Sequence, residues 1–295
     1  MKEADAGMKR MVISMGMKGI FAKKRGRRTA AAITGCVFFV ILLAIYIGGA
    51  LLPDSALAAD FSQKSLPPSM KHLFGTDFLG RDMFVRTVKG LSLSLAVGAV
   101  ASVISALIAL AVGVTAAMGR GIADHAVNWF IDVFMSVPHT VLIILISVAF
   151  SRGAFGMLVG LAVTHWVSLA RIIRGEVLQI RSMQYITASR RFGKSRLWIA
   201  RKHILPHMLP QFFVGLILLF PHAIMHESGL TFLGFGLPPE QPAIGIILSE
   251  SMKYLSGGAF WLALFPGLAL VLLVLMIDKL GNTIRSLLEP REAQL

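Results

Sequence analysis

Long apolar stretches separated by shorter polar ones dominate the chain. They fall at about 29–52, 91–118, 127–150, 154–173, 205–226 and 259–281. Each is near the roughly 20 residues that an α-helix needs to cross the hydrocarbon of a bilayer. The pattern predicts an all-α, polytopic membrane protein with about six transmembrane helices. The fourth run is short and is punctuated by Gly153, Gly156 and Gly160, residues small enough to let neighbouring helices approach closely. A polar stretch containing Pro67-Pro68 separates the first two runs.

Composition sharpens this picture. Hydrophobic residues make up 56% of the chain, mean hydropathy is +0.74, and charged residues are 15%, against about 25% in an average soluble domain. Too few polar groups remain to cover a surface that faces water all round. The net charge of +14 would point to nucleic acid on a soluble chain. Its distribution gives another reason. With the N-terminus in the cytoplasm, the inside segments hold 22 Lys/Arg and the outside ones seven, the bias expected of cytoplasmic loops. The predicted order is a basic cytoplasmic tail (1–29), a first transmembrane helix (30–52), an extracytoplasmic segment (53–90), a five-helix core (91–282) with a long cytoplasmic loop (182–202), and a tail (283–295). Both termini are then cytoplasmic. Cys36 is the only cysteine, so no intrachain disulfide can form. Ser55-Ala56-Leu57-Ala58 has the look of a signal-peptidase site, but the apolar run before it is too long for a signal-peptide core. An uncleaved anchor is expected.

The 182–206 region is the most informative. A helix is predicted from Ser182 to Phe192, stopped by Gly193, with a second helical piece from Ser195 towards Pro206. Basic residues stud both. A helix lying on the membrane surface and a docking element for a soluble partner both fit this pattern. Gly193-Lys194-Ser195 imitates the end of a phosphate-binding loop, yet Ala188 stands where that motif requires glycine and no strand precedes it. The chain itself is therefore not expected to bind ATP or another cofactor.

Three ordered motifs carry a resemblance. Thr187-Ala188-Ser189, Gly193 and Leu205-Pro206 resemble the Glu-Ala-Ala…Gly…Leu-Pro coupling motif of bacterial ABC importer permeases, with Thr187 in place of Glu. Phe74-Gly75-Thr76-Asp77-Phe78-Leu79-Gly80-Arg81-Asp82 is similar to a segment of the dipeptide/oligopeptide/nickel permease group, in its C-type subunit. Phe232-Leu233-Gly234-Phe235-Gly236 resembles the stretch after that group's fifth helix. The resemblance runs from about residue 30 to 290. It implies the type I ABC importer permease fold in a bacterial inner membrane. It also implies a homologous permease as heterodimer partner, two cytoplasmic ATPases holding ATP and Mg²⁺, and an extracytoplasmic solute-binding protein. ATPase coupling falls to Thr187, Ala188, Ser189, Gly193, Leu205 and Pro206. For Gly75, Asp77, Gly80, Arg81 and Asp82 two readings stand: an ion-pair knot at the outer surface, or a contact to the binding protein.

The histidines bear on the cargo. His222 and His226 lie four apart, on one helix face, flanking Met225 and preceding Glu227. Ionisable residues within a span usually face a bundle interior or a wet cavity, and imidazole suits nickel, cobalt, copper and zinc. Packing histidines and ligands of one ion both remain open readings of the pair. The resemblance adds weight to the second, because nickel-type permeases carry similar histidines and a Ser-His-Trp like Thr164-His165-Trp166. His222, His226, Met225, Glu227 and His165 are thus candidates for the substrate path. His139, after Pro138, reads as a cap on a helix break. His203 and His207 read as cytoplasmic, and Asp132 and Asp278 as interfacial acids. His222-Ala223 lacks the glutamate that a zinc protease needs beside its first histidine, so no catalytic residue is assigned. A secondary transporter would show inverted repeats with broken helices, and the sequence has no such symmetry. The expected function is an importer permease subunit, not an enzyme. It passes nickel or a related transition metal, bare or as a small chelate, by alternating access; a di- or oligopeptide is the alternative cargo.

Overall fold

A computed structural model describes residues 29–119 and 122–288. The basic N-terminal tail up to residue 28, Arg120, Gly121 and the last seven residues lie outside them. The helices are α1 (Thr29–Leu51), α2 (Met83–Met118), α3 (Ile122–Ser136), α4 (His139–Ala149), α5 (Ala154–Thr164), α6 (Trp166–Ser182), α7 (Gln184–Arg191), α8 (Arg196–Ile199), α9 (Leu205–Phe232), α10 (Ile244–Met252) and α11 (Trp261–Leu288). No strand occurs among the described residues, which carry a single bridge between Thr76 and Asp82. Five helical stretches are long and apolar enough to cross a membrane, and α3 with α4 makes up to a sixth.

The helix α2 forms the spine because small residues line it. A Cβ on Gly98 would lie 2.6 Å from Ile224 of α9, and one on Gly113 would lie 2.9 Å from the Ala170 carbonyl of α6. Ala101, Ser102, Ser105, Ala106 and Ala109 are buried between these contacts. The Ser105 hydroxyl donates to the Ala162 carbonyl at 2.9 Å, so even the polar positions serve packing between helices. Ile173, Val177, Ile186, Ile204 and Met208 close one apolar cluster with α2. At its other end, α2 joins Leu42, Ile224, Ile247, Leu273 and Ile277 in a second. The outlying α1 touches this body through Gly49, next to Ser92, and through Leu42.

Two breaks shape the site. The apolar run at 127–150 reads as one span, but α3 and α4 meet at 96°. Pro138 lacks an N–H and disfavours helical backbone at Val137, so the chain turns there. Helix α4 starts again as Leu142 N–H donates to the Pro138 carbonyl. The second break, at His165, is mild. α5 and α6 run on as one 29-residue span, longer than the short apolar run at 154–173.

Helix α7 is set off from α6 by extended backbone at Met183, and Gly193, two residues past its end, has φ +74°. Ser195 then caps the next turn by accepting from Trp198 N–H. Residues Ala200–Ile204 widen into a π turn ahead of Pro206. A proline ring crowds the carbonyl four residues earlier, and one extra residue per turn relieves that clash. The polar 53–82 connection folds back on itself. A Cβ on Gly80 (φ +79°) would lie 1.8 Å from the Asp60 carbonyl oxygen, so only glycine fits there. Asp82 caps α2, accepting from the N–H groups of Phe84 and Val85 at 2.8 and 3.0 Å.

Candidate functional site

The two breaks and the middle of α9 meet at a cavity of about 960 Å³. Four histidines line it: His139 at the first position of α4, His165 at the junction of α5 and α6, and His222 and His226 one turn apart on α9. Phe134 and Gln211 contribute to the rest of its wall. The His165 ring meets those of His139 and His226 edge to face, with centroids 4.6 and 5.2 Å away, and the His139 and His226 rings are tilted by 60° with centroids 5.0 Å apart. One ring nitrogen from each can be chosen so that all three lie within 4.8 Å of one another.

The tautomer of His165 follows from its neighbours. Its Nδ1 sits 2.9 Å from the Leu161 carbonyl oxygen. A carbonyl only accepts, so Nδ1 carries the proton and Nε2 keeps its lone pair. His165 is 6% exposed, and its Nε2 has no hydrogen-bond partner among the described residues. Leaving a buried acceptor unpaired costs about 1–3 kcal/mol. His139, expected only to cap the break, is instead brought into this group by the 96° turn.

The remaining path candidates lie elsewhere. Successive residues on a helix are turned by about 100°, so Met225 and Glu227 cannot share the face of His226. Met225 is 56% exposed on the outside of the bundle. Glu227 is fully buried and accepts from the Ser228 and Thr231 hydroxyls, each at 3.1 Å. Neither lines the cavity.

On the segment that resembles a coupling motif, Thr187, Ala188 and Gly193 are exposed. Ser189 donates to the Tyr185 carbonyl at 2.9 Å and lies 3.1 Å from His203 Nε2. His203 also packs against the Tyr185 and Trp198 rings, so it braces the turn that presents α7. Leu205 is half-buried and Pro206 exposed at the start of α9.

The Gly75–Asp82 segment turns its charges inward. Asp77 is 2% exposed. It accepts from Arg81 Nε and Arg86 Nη1 at 2.7 Å each, and from the backbone N–H of Leu79 and Arg81. Arg86 Nη2 continues to Glu250 of α10 at 2.8 Å, and Asp82 holds His72 Nδ1 at 2.7 Å. Arg86 and Glu250 escape a reading by motif, because one is nine residues past Asp77 and the other is far along the chain. Asp132 pairs with Arg171 at 2.6 Å, and Asp278 accepts from Asn282.

Residues 109–294 match the family described as "Binding-protein-dependent transport system inner membrane component". The chain is 35% identical to the dipeptide transport system permease protein DppC of Bacillus subtilis (strain 168), over 92% of this chain and 85% of that one. It is 30% identical to the oligopeptide transport system permease protein OppC of the same organism, over 92% and 88%. Among solved structures, the MetNI methionine ABC transporter in inward-facing form matches with a TM-score of 0.57 at 23% identity, covering 70% of this chain and 98% of that one. That last likeness is one of fold.

Proposed function

This chain belongs to the binding-protein-dependent transport system inner membrane components, as an ABC importer permease of the peptide and nickel group, and from that premise we propose that it lines half of the path by which an ATP-driven importer admits di- or oligopeptides. The observation that carries the cargo is the similarity, nearly end to end, to a dipeptide permease. This order reverses the one suggested by His222 and His226, which put metal first. A cavity of about 960 Å³ lies at the upper end of the range for small-molecule sites and is large for a bare ion.

In the proposed assembly a homologous permease supplies the other half of the path. The exposed α7 meets a cytoplasmic ATPase, a binding protein delivers cargo from outside, and both termini face the cytoplasm. ATP binding and hydrolysis on the ATPases shift the population between inward- and outward-open states. The 96° turn at Pro138 puts the α3–α4 hinge beside the cavity, where such a shift alters access. The test is uptake of a labelled dipeptide by cells that lack their own peptide importers and express the complete assembly. Uptake that is absent, or indifferent to loss of this chain, refutes the peptide reading.

A second reading, favoured by the four histidines on the cavity wall, makes the cargo nickel or a related transition metal, bare or chelated. Radiolabelled nickel run beside the dipeptide in the same cells separates the two.

A further inference from the structure

We infer that His139, His165 and His226 form a first-row transition-metal site within this single chain, facially coordinated by three imidazoles and open to the cavity on its remaining side. The inference rests on the cluster and holds whether the ion is cargo or a resident of the path.

Three observations converge. First, the ligands come from three separately anchored elements, namely the start of α4, the junction of α5 and α6, and the middle of α9, yet their donor atoms lie within 4.8 Å of one another. Ligands at about 2.1 Å from a shared ion are roughly 3.0–3.4 Å apart, so small ring rotations complete the site. Second, His165 is already set as a ligand. The Leu161 carbonyl holds its Nδ1–H at 2.9 Å, which is the outer hydrogen bond that orients a metal-bound histidine. Its Nε2 is buried and unpartnered, so coordination satisfies an acceptor that nothing else in the described chain reaches. Third, none of the three ring pairs is stacked: His165 meets the other two edge to face, and His139 and His226 are tilted by 60°, which lets their nitrogens converge.

The donor set selects the ion. Three neutral imidazoles suit Ni²⁺, Co²⁺, Cu²⁺ and Zn²⁺, and offer nothing to Mg²⁺ or Ca²⁺, which want oxygen. Glu227, next to His226 in sequence, turns its carboxylate to Ser228 and Thr231 and stays out of the set. The open positions take water, or oxygen and nitrogen donors of a small molecule in the cavity. His222, one turn from His226 on the same face, stands next along the wall as an exchange partner.

The test uses the purified full chain in detergent and Co²⁺, whose visible absorption reports nitrogen coordination and its geometry. The wild type should bind one Co²⁺ in this cluster with ligand-field bands, and Mg²⁺ should not displace it. His139→Gln, His165→Gln and His226→Gln should each weaken binding by at least about tenfold, the lower end of what loss of a mere supporting contact does. His207→Gln, distant on the exposed start of α9, should leave it unchanged. Thermal melting without metal checks each fold; if the buried His165 variant unfolds, the two half-buried positions decide. The wild type should also melt higher with Co²⁺, and the folded variants should not. No absorption in the wild type, or absorption that survives the cluster variants, overturns the site. Co²⁺ bound as described in an assembly that takes up no nickel keeps the site and removes only the metal-cargo reading. Loss of dipeptide uptake alone leaves the site intact and counts against the peptide reading.

Discussion

Arg86→Met removes the cation that ties the 53–82 connection to α10. In the native structure Arg86 Nη1 and Nη2 reach Asp77 and Glu250 at 2.7 and 2.8 Å, and its side chain is 4% exposed. Breaking a buried ion pair from one side costs about 3–5 kcal/mol, because the other charge stays buried without its partner. Asp77 is not wholly abandoned here. Arg81 Nε and two backbone N–H groups still hold it, and Glu250, at 24% exposure, retains Arg81 at 3.4 Å and some water. The expected loss is therefore below that range, about 2–3 kcal/mol. Arg81→Met removes a cation that is 19% exposed and should cost less, about 1–2 kcal/mol. Pairing Arg86→Met with Asp77→Asn removes the stranded charge, so the double variant should fall well short of the sum of the singles. Thermal or denaturant unfolding of the purified protein ranks the four proteins. If Arg86→Met is no worse than Arg81→Met, or the double variant is additive, Asp77 is not held as described. A stable Arg86→Met that has lost only its response to the binding protein would instead support the docking reading of this segment.

Three further outcomes follow from particular contacts. Gly98→Leu should separate α2 from α9, since its Cβ alone would lie 2.6 Å from Ile224 and 3.1 Å from Phe220; overpacking of this kind costs about 1–3 kcal/mol, read as a lower melting temperature. Gly175→Ala meets nothing within 4 Å on an exposed face of α6 and should stabilise by about 0.4–1 kcal/mol through a stiffer unfolded chain. Pro138→Ala restores a backbone donor and frees Val137 for helix, so α3 and α4 should straighten, withdraw His139 and weaken Co²⁺ binding with His165 and His226 untouched.

The helical, membrane-spanning character of the chain was legible because it rests on local quantities. Apolar run length gives the spans, and Gly193 with Ser195 marks the stop and restart around α7 without any knowledge of the rest of the fold. Helix ends were less so. α2 begins at Met83, well before its apolar run, because Asp82 caps it and Arg86 and Lys89 find partners in Glu250 and Asp54 that only the fold supplies. α6 likewise carries Arg174 beyond its apolar part, paired with Asp124 of α3 at 2.7 Å. Charged residues count against a span when read along the chain. They extend one when a distant element answers them.

The site divides in the same way, and the division bears on its chemistry. His222 and His226 could be found because a spacing of four is a helix face. That rule brings only two rings to one wall and says nothing of what faces them. The other two histidines sit at discontinuities: His139 follows the residue that breaks α3 from α4, and His165 lies where α5 passes into α6. A histidine at a break reads locally as a cap or a turn residue, and its partners depend on where the two halves go. The 96° bend decides that for His139, and the Leu161 carbonyl decides which nitrogen of His165 is free. A cluster built on breaks also responds to helix movement. If alternating access changes the angle at Pro138, it changes the distance from His139 to the other two rings, and an ion bridging them binds one state better than the other. Such a differential is all that a ligand needs to bias the equilibrium between states. The cavity histidines would then be linked to the inward–outward balance as well as to the cargo, and a metal ion should alter the ATPase rate of the assembly only while His139 is present.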